Sequence, residues 1–196
     1  MRINTLLVLL SLLLAPASAD TMETVIIQTS LGEITVELNQ TKAPVTVKNF
    51  LAYVDRGLFA NARFYRTVTL EPDNQPHNEV KIEVIQAGLD PALESKALPP
   101  IRLERTQQTG IEHLDGAISM ARDGPDTASS EFFICVGAQP ELDFGGARNP
   151  DGQGFAAFGR VVSGMSVVRK IQKAKAQGQS LTPAILIQNI RRGPKS

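Results

Sequence analysis

The feature that most constrains this 196-residue chain is a succession of eight short apolar runs with only two helical stripes, set far apart. Val25, Ile27 and Thr29 alternate with Ile26 and Gln28; after Ser30-Leu31-Gly32, Ile34, Val36 and Leu38 alternate with Glu33, Thr35 and Glu37. That is the period of a half-buried hairpin. Further strands are expected over Ala62–Val68, Val80–Gln86, Gly116–Ala121, Glu131–Val136, Phe155–Val162 and Ala184–Ile190. One helix is expected after Ala43-Pro44, where proline has no donor to lose. It carries Val47, Phe50, Leu51 and Val54 on one face and ends at Gly57. A second is expected to be capped by Ser163 and to run through Met165, Val168 and Ile171 to about Ala176. Strands without regular helical crossovers imply an antiparallel barrel or sandwich, and periodicity does not choose between them. Two stretches, Thr69–Asn78 and Gly145–Gly154, are polar and read as exposed loops.

The first residues look like an export signal. Arg2 gives a positive start, Leu6–Leu14 is apolar apart from Ser11, and Ala17-Ser18-Ala19 is a small-x-small cleavage site. The apolar run is shorter than the ~20 residues that span a bilayer. Residues 1–19 are therefore read as a signal peptide and 20–196 as one domain, with the periplasm as destination. Without Arg2, the remaining chain has one more acid than base. It has no general attraction for nucleic acid or anionic membrane, and a monomer is expected. Cys135, the single cysteine, lies in the apolar run Phe132–Val136 and reads as a buried small hydrophobe. With His77 and His113 it offers no metal-ligand spacing, and no cofactor is expected. Each histidine reads as solvated or structural.

Five segments in order resemble the cyclophilin-type peptidyl-prolyl isomerases: Thr29–Ile34 leading into Lys42–Leu51, Phe64-Tyr65-Arg66, Val84–Gly88, Ser119–Pro125 through Ser130–Ile134, and Phe155–Val161 with Gly164-Met165. The resemblance covers roughly Thr24 to Ile190. It implies a closed eight-stranded antiparallel β-barrel capped by two α-helices, and cis/trans interconversion of X–Pro bonds in proline-containing segments of exported proteins. Rotation about a prolyl amide changes no covalent bond, so no nucleophile, metal or proton relay is required. Twisting the amide frees the proline nitrogen to accept a hydrogen bond, and a fixed donor aimed there favours the transition state over either planar state.

By the same resemblance Arg66 is that donor, and Gln86 bonds the substrate backbone or holds Arg66. Ala121 gives a backbone contact. Phe133 and Leu142 wall the proline pocket, with Val84 where the family usually has methionine. Because Phe132 and Phe133 point to opposite faces of a strand, one is expected in the core and the other in the pocket. The chain also departs from the family. Glu83 falls where a pocket phenylalanine is usual, Glu131 where glutamine is usual, and Glu141 near a tryptophan whose loss is expected to weaken cyclosporin binding. Phe155 and Tyr65 each replace a histidine, and Ala87 a glycine. Extra residues around Thr69–Lys81 separate Arg66 from Gln86, and Phe155 is a candidate to complete the pocket. Glu131 is expected either to pair with Arg66 and orient it or to hold it away from substrate. A second reading is a proline-segment-binding chaperone or assembly module with little turnover.

Overall fold

The computed structural model describes residues 19–194. Apart from Ala19, the segment read as a signal peptide lies outside them. The strands are β1 (Met22–Thr29), β2 (Gly32–Asn39), β3 (Arg63–Val68), β4 (Val84–Gly88), β5 (Ala117–Met120), β6 (Phe132–Cys135), β7 (Ala156–Ser163), β8 (Ala176–Gln177) and β9 (Ser180–Arg192). The helices are α1 (Pro44–Asp55), the four-residue α2 (Thr106–Thr109) and α3 (Met165–Gln172). The sheet runs β1-β2-β7-β5-β6-β4-β3-β9, and β9 pairs back onto β1. Every pairing is antiparallel. The result is a closed eight-stranded barrel, to which β8 adds a two-residue hairpin arm on β9. No helix among the described residues is long and apolar enough to cross a membrane.

Alternation decides which residues fill the barrel. Phe64, Ile85, Ala87, Phe132 and Ile134 enter the main core with Val25, Ile27, Ile34 and Val36. Helix α1 packs against β2, β7 and β9, and α3 against β2, β3 and β4. Phe50, fully buried on α1, brings its ring within 5.2 Å of Phe59, 5.4 Å of Phe132 and 5.3 Å of Phe158. Proline begins α1 as its sequence suggests, but the neighbouring Ala43 makes no side-chain cap. The free N–H groups of Val45 and Thr46 instead donate to the Glu104 carboxylate at 3.1 and 2.8 Å, and the Thr46 hydroxyl adds a bond of 2.7 Å. A carboxylate suits the positive end of the helix dipole.

Several boundaries differ from the sequence reading; the last strand, expected over Ala184–Ile190, runs from Ser180 to Arg192. Ser163 ends β7, and α3 begins after Gly164, whose φ is +92° and whose missing Cβ would lie 2.4 Å from the Glu33 carbonyl oxygen. A tight reversal against β2 sets that helix start, so no side-chain cap is used, and α3 stops at Gln172 short of Ala176. The strand expected from Val80 begins only at Val84. Ahead of it, side chains replace a neighbouring strand as partners: the Gln75 amide bonds both the N–H and the C=O of Ile82, and Arg148 Nη1 donates to the Val80 carbonyl at 2.6 Å. Gln75 is consequently fully buried within the loop expected to be exposed.

Candidate active site

A second apolar cluster lies on the outer face of the sheet, opposite the barrel core. It contains Val68, Ile82, Val84, Ala117, Phe133, Cys135 and Leu142, with Ala121 and Phe155 packed against it. Phe132 is thus core and Phe133 outer face, the split that strand alternation requires. The Phe155 ring stands edge-on to Phe133 at 5.4 Å. This cluster floors a cleft of about 430 Å³. The residues expected to act on or contact substrate all line it: Arg66, Val84, Gln86, Ala121, Glu131, Phe133, Leu142 and Phe155.

A bulge aims Arg66 at this cleft. In β3, Phe64 pairs with Ala87 and Arg66 with Gln86, so Tyr65 is an extra residue without a partner in β4. Strict alternation would put Arg66 on the same face as Phe64, inside the barrel. The extra residue turns it outward beside Gln86, the kind of re-aiming that bulges produce. Arg66 Nη1 then donates to Gln86 Oε1 at 2.8 Å and Nε to Gln179 Oε1 at 2.7 Å. Its other amino group, Nη2, makes no hydrogen bond among the described residues.

Both partners of Arg66 are themselves held. Gln86 Nε2 donates to Glu131 Oε2 at 2.7 Å and to the Tyr65 hydroxyl oxygen at 2.7 Å, while Tyr65 donates to the same Glu131 oxygen at 2.7 Å. A carboxylate can only accept, so it fixes which end of the Gln86 amide faces Arg66. Glu131 therefore neither pairs with Arg66 nor draws it away, as the sequence left open; it acts through Gln86. Burial and the Glu131 carboxylate push the Tyr65 phenol well above its ordinary range, which keeps its proton on. Gln179, from the β8–β9 turn, is steadied by a 2.7 Å bond from its Nε2 to the Asn74 carbonyl. Sequence reading missed Gln179 because it is 113 residues from Arg66 along the chain.

We expect Gln86→Leu to lower kcat/KM for the X–Pro exchange that the resemblance implies about tenfold. It removes one of the two bonds that orient Arg66 and strands the Tyr65–Glu131 pair, a loss on the scale of a hydrogen bond to a charged group. Steady-state exchange on a neutral X–Pro peptide measures it, with thermal melting to show that the barrel remains folded.

Other expectations resolve plainly. Glu83 faces away from the cleft, accepting from Gln172 Nε2 at 2.9 Å. Alternation places Val84 and Gln86 on the cleft side and Glu83 off it, and Ile82 supplies the apolar contact. Glu141 is exposed and holds the 145–154 loop through the N–H groups of Ala147 (2.8 Å) and Arg148 (3.1 Å). His113 is buried behind the cleft: it bonds Asp143 (2.7 Å) and Ser119 (2.9 Å) and stacks on Phe133. It does not line the cleft, and its burial excludes the solvated alternative. Cys135 is fully buried, and burial pushes its thiol far up, away from reactivity. Among the described residues no group of three or more metal-ligating side chains occurs.

Arg122 closes one side of the cleft. It donates two bonds to Asp151, at 2.7 and 2.9 Å, and one to the Gly154 carbonyl at 2.8 Å, with its guanidinium 5.1 Å from the Phe155 ring centre. Gly154 has φ +64°, and a Cβ there would lie 2.5 Å from the Asp143 carbonyl carbon. Hydrogen bonds from Arg122, then the Gln153 backbone N–H, hold the Asp151 carboxyl below its usual range. A depressed carboxyl keeps this clasp intact at neutral pH and loses it only as pH falls through the lowered value.

A closed antiparallel barrel bearing an outward arginine over an apolar cleft defines a cyclophilin-like domain. Residues 24–192 match the family model described as cyclophilin type peptidyl-prolyl cis-trans isomerase/CLD. The chain is 36% identical over 166 residues to peptidyl-prolyl cis-trans isomerase A of Dickeya dadantii, covering 83% of this chain and 78% of that protein. It is 36% identical over 154 residues to peptidyl-prolyl cis-trans isomerase B of Escherichia coli, covering 78% of this chain and 85% of that protein. Among solved structures, it superposes on a cyclophilin type peptidyl-prolyl cis-trans isomerase of Cryptosporidium parvum determined in the presence of the dipeptide Ala-Pro. The TM-score is 0.69 at 22% identity, over 87% of this chain and 99% of that one. The chain belongs to the cyclophilin-type peptidyl-prolyl cis-trans isomerases, and isomerisation of prolyl bonds is its activity.

Proposed function

We propose that this protein isomerises X–Pro bonds in polypeptides exported to the periplasm, acting as a monomer on proline-containing segments during their folding. The observation that carries the catalytic assignment is Arg66, tethered through Nη1 and Nε and with Nη2 unbonded among the described residues, over an apolar floor. In this reading the pyrrolidine ring sits on Val84, Phe133, Leu142 and Phe155, where leaving water stabilises binding. Gln86 and Ala121 meet the substrate backbone. Nη2 donates to the proline nitrogen as the amide twists and its lone pair localises. Because both tethers are in place before substrate arrives, the donor needs no reorganisation at the moment of rotation. The spontaneous barrier is about 18–20 kcal/mol.

The alternative of a binder with little turnover rested on Glu83 and Glu131. Glu83 faces Gln172, and Glu131 braces Gln86, so neither obstructs Arg66. The Ala-Pro dipeptide used with the Cryptosporidium parvum protein is in keeping with proline-segment binding here. Export rests on Arg2, Leu6–Leu14 and Ala17-Ser18-Ala19. Two measurements test the reading. NMR exchange on a short Ala–Pro peptide is expected to show catalysis by the purified domain. Fractionation of cells expressing the full chain, with sequencing of the recovered amino terminus, is expected to give periplasmic protein starting at Asp20. Absence of exchange overturns the catalytic half; cytoplasmic protein with an intact Met1 overturns the other.

A further inference from the structure

The two long polar loops meet at one side chain. Arg148, from the 145–154 loop, donates from Nη1 to Gln75 Oε1 at 3.1 Å and to the Val80 carbonyl at 2.6 Å, both in the loop between β3 and β4. It also lines the cleft, as Arg66 does. Each of its bonds goes to a neutral oxygen, and among the described residues neither Arg148 nor Arg66 forms an ion pair with a carboxylate.

Two carboxylates, Glu131 and Asp123, line the cleft, and neither pairs with Arg148 or Arg66. Glu131 is engaged by Tyr65 and Gln86. Asp123 is exposed and close enough to Tyr65 to raise its phenol further. Asp151 is taken up by Arg122. Arg148 is half-buried and feels a like charge: desolvation first, then repulsion from Arg66, lowers its guanidinium from its ordinary value. Two partly buried cations that pair with no carboxylate among the described residues leave a place for one negative charge, which would relieve both.

We infer that Arg148 selects substrates, so that the cleft prefers proline segments carrying an aspartate or glutamate close to the proline. The ligand is an acidic peptide, and the acid comes from the client polypeptide itself. The bridge from Arg148 to Gln75 and Val80 holds the cation in place, so little side-chain freedom is lost when the acid arrives.

This inference rests on the isomerase reading, and one peptide series separates the two. Glu, Gln or Lys is placed in turn at each of the two positions before and after proline, and kcat/KM is measured by NMR exchange at low salt. At one position or more, Glu is expected to exceed Gln by roughly two- to fivefold, the range of a partly screened ion pair, and Lys to fall below Gln. The Glu/Gln ratio should drop toward unity in 0.5 M salt, where screening acts over about 4 Å, and also in Arg148→Gln. Arg148→Lys, which keeps the charge, should retain most of it. Because the readout is a ratio within one protein, a change in overall rate from loosened loops does not imitate the result. If a variant no longer turns over, peptide titration followed by NMR gives the same ratio from Kd. Catalysis of every peptide with no Glu/Gln difference at any position overturns the inference and leaves the isomerase standing. An undiminished preference in Arg148→Gln overturns the assignment to Arg148. No catalysis of any peptide overturns the isomerase reading itself.

Discussion

Arg66→Ala is expected to lower kcat/KM for X–Pro exchange by about 10²–10³-fold while leaving the barrel folded. That is the range observed when one preorganised donor is removed from a charge-stabilising site. On the role proposed for Arg66, in which Nη2 meets the proline nitrogen only as conjugation breaks, the loss should appear in kcat more than in KM. Arg66→Lys is expected to recover little. An ammonium carries the charge, but it lacks the planar fork that meets Gln86 and Gln179 at once. Direct NMR exchange on a peptide too short to fold measures chemistry without a coupled protease. Full activity in Arg66→Ala would place catalysis elsewhere in the cleft.

Phe50→Ala is expected to destabilise the protein by about 3–5 kcal/mol, the usual loss for a buried phenylalanine. For a domain of this size that corresponds to a fall in Tm of roughly 6–20 °C. Phe50 joins α1 to the barrel: its ring meets Phe59, edge-on Phe132 and tilted Phe158. Those rings come from the segment after α1, from β6 and from β7, so collapse around the vacancy would need three elements to move. Phe133→Ala, one residue from Phe132 but on the other face, should cost less stability and more substrate affinity. Calorimetry paired with peptide titration distinguishes these two faces of one strand.

Much of the barrel was legible in the sequence because its strands alternate and its turns carry glycine or proline. The strands around Val25, Ile34, Ile118, Ile134 and Phe158 needed nothing more. Gln75 and Arg148 were not legible as strand substitutes, since which polar side chain satisfies Ile82 or Val80 is settled by loop folding rather than by a local pattern. The same holds for Glu104, 59 residues from the helix end it caps at Val45. At the site, the family resemblance gathered the residues that line the cleft, but not its wiring. Arg66 sits two residues from Phe64, and a period-two reading turns both inward. The bulge at Tyr65 exists only through pairing with β4 and β9, so sequence spacing carries no sign of it. Glu131 was legible as a departure, yet its action through Gln86 depends on an amide orientation that three-dimensional contacts alone define.

The pairing of β9 with β1 closes the sheet, and this has a consequence for the company such a protein keeps. An open sheet offers its last strand as a template on which an extended chain can lay down main-chain hydrogen bonds, and such surfaces are where aggregates recruit new members. Among the described residues, the strand left outside the closed ring is the two-residue β8. A passing unfolded polypeptide therefore finds a place for a proline ring and little for its backbone ladder. On the proposed function, the contact is then local, and a chain still searching for its own strands can leave again without having grown onto the protein that served it.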